Sequence, residues 1–127
     1  MGCCIQYAVR DGTLQAVVSG RALSGGTASW IARDIALQAG RQRSKRLLID
    51  VRGLGDRLGS LGALSMADGD PRWIGGYRVA MVDAMENDSY YALHEMAAAA
   101  RGYVLKCFSS AAEAARWLRS ASRHDRP

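Results

Sequence analysis

Two short runs, Arg46–Val51 (RLLIDV) and Tyr77–Val82 (YRVAMV), are apolar at most successive positions and too short to be helices. Runs of this kind suit strands buried on both faces, and such strands belong to parallel sheets covered by helices. A parallel pair needs a crossover of a dozen or more residues, usually helical. The chain supplies these crossovers. After the first run, Leu58, Leu61 and Leu64 fall at i, i+3, i+6 on a short helix ending near Met66. After the second, Asn87, Asp88 and Ser89 offer caps to a helix with a stripe of Tyr90, Leu93, Ala97 and Ala100.

The flanks extend this alternation. Ile5–Arg10 and Thr13–Val18 alternate around Asp11-Gly12, a strong short-range signal for a hairpin. A helix follows from Thr27, with Trp30, Ile31, Ile35, Leu37 and Ala39 as apolar positions and Gly40 as its expected left-handed end. Val104–Phe108 reads as the last strand. Ser110-Ala111-Ala112-Glu113 has the spacing of a capping box, opening a final helix with Ala111, Ala114, Ala115 and Leu118 on one face. The expected fold is a single α/β domain with a mostly parallel sheet of four to five strands. It is built of βα units behind an N-terminal β-hairpin, with about four helices. The domain is expected over residues 5–119, and the polar tail over 120–127 is expected to be disordered.

At 127 residues the chain is one domain in size, with 49% apolar and 23% charged residues, ordinary for a globular protein. No apolar run approaches the roughly 20 residues needed to span a bilayer, and no secretory signal opens the chain, so the expected location is the cytoplasm. Cys3, Cys4 and Cys107 form no metal-binding or redox spacing and are expected to be reduced thiols. The net charge is +5, with clusters at Arg41, Arg43, Lys45 and Arg46 and at Arg119, Arg123 and Arg126. Basic residues are not interleaved with aromatics, which argues against nucleic acid and leaves contact with an anionic membrane surface open.

The region after Val51 carries the candidate chemistry. Gly53, Gly55, Gly59 and Gly62 follow a strand, but the dinucleotide fingerprint fails by one residue, and no Gly-Lys-Ser/Thr is present. His94 and Glu95 are adjacent on a helix and point about 100° apart, so they do not form an acid–base pair by spacing. Asp50, Asp83 and Glu95 could gather above the sheet as carboxylates, although strand-end aspartates commonly serve turns. With no nucleophile–base–orienter set to name, the expectation is a non-enzymatic protein without catalytic residues, metal or cofactor.

Several pieces in order resemble the SpoIIAA-like family, relatives of the STAS domain of anti-sigma factor antagonists. They are the opening hairpin, LLIDVRG at Leu47–Gly53, YRVAMV at Tyr77–Val82 and YALHE at Tyr91–Glu95. Arg101-Gly102, VLKCF at Val104–Phe108 and EAARWL at Glu113–Leu118 complete the set, which spans Ile5 to Arg119. The chain departs from the family at Leu93-His94-Glu95, where an aromatic pair and Glu are common, and at Ala100, where Asn often precedes Arg-Gly.

The resemblance implies a layered βα fold and a regulatory or binding role without catalysis, including lipid-like ligands and membrane association. On that footing the first expectation is an apolar or lipid-like ligand held between the short leucine helix and the helix after it. Its lining would be Leu58, Leu61, Leu64, Met66, Trp73, Tyr90, Leu93 and Met96. The alternative is a phospho-switch domain acting on a protein partner through Ser60, which follows Asp56-Arg57-Leu58-Gly59. That setting is similar to the Asp-Ser-Ser-Gly of the antagonists. A homodimer is compatible with either.

Overall fold

A computed structural model describes residues 3–21, 25–55, 76–84, 95–96, 98–100 and 102–124. Five strands form one sheet in the order β1-β2-β3-β4-β5. They are β1 (Cys3–Arg10), β2 (Thr13–Arg21), β3 (Arg46–Gly55), β4 (Arg78–Val82) and β5 (Val104–Phe108). β1 is antiparallel to β2, and the other neighbours are parallel, as expected. Asp11 and Gly12, at φ 52° and 77°, are both left-handed, as the tight Asp-Gly turn requires. Ser44 pins this turn to the sheet. Its buried hydroxyl lies 2.9 Å from the carbonyls of both Gly12 and Arg46.

Strand order follows chain order, and the described helical residues of the connections between parallel strands pack on one face of the sheet. The helix α1 (Gly25–Gln42) and the helical residues 95, 96 and 98–100 belong to these connections. Ile31, Ile35 and Ala39 of α1 and Ala98 share one buried core with Leu14, Ala16, Val18, Leu47, Ile49, Val51, Val79 and Met81. Tyr7 ties β1 to α1 by donating to Asp34 Oδ2 at 2.6 Å. Burial and the neighbouring carboxylate push its phenol far above the usual tyrosine range.

Among the described residues, the second face carries one helix, α2 (Ala111–His124). Ala114 and Leu118 bury against Leu48, Ala80 and Val82. The Trp117 ring lies between Phe108, 5.5 Å away centre to centre, and the Arg78 guanidinium at 4.3 Å. The Ser110 cap forms as its spacing predicts, with the Glu113 amide donating to Ser110 Oγ at 3.3 Å.

Three boundaries differ from expectation. α1 runs two residues past Gly40. It ends at Arg43, φ 53°, with the Arg43 amide on Gly40 O and the Ser44 amide on Ala39 O. This is a Schellman ending with arginine where glycine is usual. β3 continues through Gly53 to Gly55 instead of turning. α2 reaches His124, so Ser120–His124 extend the helix where a disordered tail was expected. The leucine helix expected over 58–66 lies outside the described residues.

Candidate functional site

The carboxyl end of the parallel strands, where open α/β sheets place ligands, is built here around β3. The β3–β4 ladder stops at Asp50 opposite Val82, whereas β2–β3 continues to Arg21 opposite Gly55. The register slips between Val17 and Ser19, because Val17 faces Asp50 and Ser19 faces Gly53. Two steps on β2 thus match three on β3, a β-bulge. The slip moves the inward side from odd to even residues, and Val51 and Leu54 are both buried in the main core. Gly53 meets this geometry because a Cβ there would lie 3.3 Å from Ser19 Cβ.

Beside the bulge, Arg52 lies back on Asp50. The Arg52 amide reaches Asp50 Oδ1 at 3.1 Å, Nε reaches the same oxygen at 3.0 Å, and a terminal nitrogen reaches Oδ2 at 2.7 Å. Burial pushes the Asp50 carboxyl upward, but the side-chain and backbone bonds and the charge of Arg52 outweigh it. The group is therefore held below its ordinary value. The same pairing raises Arg52.

A carboxyl depressed by folding stabilises the folded state above its unfolded pKa, about 3.9. That stabilisation is lost as pH falls through the lower, folded value. Arg52 is half-exposed and its pairing is screened, so Arg52→Ala is expected to cost only about 1 kcal/mol at pH 7. Urea denaturation curves should show this gap closing once Asp50 is protonated in acid. A gap that persists undiminished would mean that the pairing is not its source.

The three acids do not gather into a catalytic group. Asp50 shares the α2 side of the sheet with Leu48, whereas alternation along β4 puts Asp83 on the opposite side from Val82, the register partner of Asp50. Asp83 is fully buried and accepts from the Ala84 amide at 2.8 Å, while its own amide extends the ladder to Phe108 O. Glu95 Oε2 accepts from the Cys107 amide at 3.3 Å, capping a main-chain group of the last strand. Each carboxylate thus serves the backbone or an adjacent arginine.

Among the residues expected to line a ligand, Met96 is described and is 69% exposed. Leu58, Leu61, Leu64, Met66, Trp73, Tyr90 and Leu93 lie outside the described residues, as does the switch candidate Ser60. Cys3, Cys4 and Cys107 are not joined in disulfides. No helix among the described residues is long and apolar enough to cross a membrane. The Asp50–Arg52 clamp was not anticipated, although an i, i+2 spacing on a strand is itself the signal for one shared face.

No family model matches the sequence, and no curated protein matches it. Solved structures do. A crystal structure of an anti-sigma factor antagonist from Mycobacterium paratuberculosis aligns over 92% of this chain and 94% of that one. Its TM-score is 0.59 and its sequence identity 18%. The chain therefore has the fold of an anti-sigma factor antagonist.

Proposed function

We propose that this chain is a non-enzymatic regulatory domain that works by docking a partner protein, as an anti-sigma factor antagonist does. The observation that carries the reading is the fold, matched over nearly the full length of both chains. The roles of Asp50, Asp83 and Glu95 agree with it, since each supports backbone or a neighbouring arginine.

In this reading Ser60 is the switch. Phosphorylation there adds nearly two negative charges just beyond β3, enough to disrupt a docked interface. The purified chain is expected to bind an anti-sigma factor encoded in its own genome, with Ser60→Ala unchanged. Ser60→Asp should weaken binding by about tenfold or more, measured by surface plasmon resonance. Equal affinity of the wild type and Ser60→Asp would remove Ser60 from the mechanism. Failure of the wild type to bind any such factor would remove the reading itself.

The second reading is an apolar or lipid-like ligand beside the helix bearing Met96, whose exposed side chain could contact one. Native mass spectrometry of gently purified protein separates the two. A co-purifying lipid supports this reading, and a ligand-free mass across preparations rejects it.

A further inference from the structure

The opposite end of the sheet carries an unusual row of charge. At the amino end of the parallel strands, Arg10 stands opposite Thr13, Thr13 beside Arg46, and Arg46 beside Arg78. The row ends at Val104 beside Arg78, so three of its five in-register positions are arginines, an arrangement that like-charge repulsion disfavours. Arg78 lies against the Trp117 ring. Neither Arg10 nor Arg46 is ion-paired among the described residues. A terminal nitrogen of Arg46 reaches the hairpin turn, 3.2 Å from where a Cβ on Gly12 would stand.

Beside this row is a cavity of about 150 Å³ between the β1–β2 hairpin and α2. A water molecule occupies about 30 Å³ in the liquid, so the space suits a small oxyanion. Arg10 and Arg119 line it from two different elements, with Thr13 and Gln15 as neutral donors and Asp11 as the one acid. The lining carries a net charge of one positive (two arginines less one aspartate), and the neighbouring Arg46 raises it to two. The hairpin wall is held in place by the bonds from Ser44 to Gly12 O and Arg46 O, so the cavity is shaped before a ligand arrives.

The structure assigns to this cavity a phosphate ester, held by the guanidinium groups of Arg10 and Arg119 with Thr13 and Gln15 completing its hydrogen bonds. Guanidinium forks match phosphate oxygens in pairs, whereas a small net charge selects a singly or doubly charged group over a polyanion. The site is remote along the strands from the end that leads to Ser60, and it does not depend on the partner-docking reading. Both a soluble ester and a lipid headgroup present this chemistry.

Isothermal titration of the whole chain with glycerol phosphate at low ionic strength tests the site. Vesicles of phosphatidylcholine with and without phosphatidylglycerol form a parallel arm. Arg10→Gln and Arg119→Gln are each expected to weaken binding by about tenfold. Asp11→Asn, which keeps a residue tolerant of the left-handed turn, is expected to strengthen it severalfold. This pattern with glycerol phosphate assigns a soluble ester. The same pattern seen only on phosphatidylglycerol vesicles assigns a headgroup. Absence of binding in both arms, or binding indifferent to all three substitutions, overturns the proposal.

Discussion

Truncation of Leu118 to alanine is expected to lower the unfolding free energy by about 3 kcal/mol and the melting temperature by about 10 °C. Leu118 has no exposed surface, and its buried partners on the second face are Leu48, Ala80, Val82 and Ala114. Two of these four are alanines, so few of their atoms can move into the space that a lost leucine leaves. The deletion therefore carries a cavity cost in addition to the lost burial. α2 is also only 14 residues long, and a helix of that length is marginal without its packing face. Leu118→Met, which conserves volume, should cost less than about 1.5 kcal/mol. Differential scanning calorimetry of both variants checks the argument. An alanine variant as stable as the methionine one would mean that α2 is not anchored through this residue.

Removal of the Asp83 carboxylate is expected to cost about 2 kcal/mol in Asp83→Ala, because the Ala84 amide loses its acceptor at the end of a buried strand. Asp83→Asn keeps an acceptor oxygen of the same shape and is expected to retain most of the stability. The comparison divides the hydrogen bond from the charge. Guanidinium denaturation gives the energies, and hydrogen exchange at the Ala84 amide gives the local effect, which should be large in the alanine variant alone. Equal losses in both variants would assign the role to the charge.

The hairpin, the parallel strands and the Ser110 cap were legible because each is dictated locally. Asp-Gly selects a turn, continuous apolar runs demand two covered faces, and a serine three residues before glutamate meets an amide. The errors arose where tertiary contact overrides local preference. Gly53 reads as a turn, yet it continues β3 because the backbone passes close to Ser19. Gly40 reads as a helix end, yet the left-handed residue is Arg43, whose conformation two capping bonds hold. The clamp of Arg52 on Asp50 follows from i, i+2 spacing, whereas the bulge beside it is set by pairing with β2 and no pattern within β3 specifies it. The arginine row is invisible in the sequence for a related reason. Arg10, Arg46 and Arg78 become neighbours only through strand register.

The packing of α2 on the second face has a consequence for synthesis on the ribosome. All five strands precede α2 in the chain, and domains assemble from the amino terminus as residues emerge. Until α2 is made, Leu48, Ala80 and Val82 form an apolar strip without its partners Ala114 and Leu118. During that interval the strip is a surface for chaperones, and a chain that stalls after β5 would expose it as a mark for degradation.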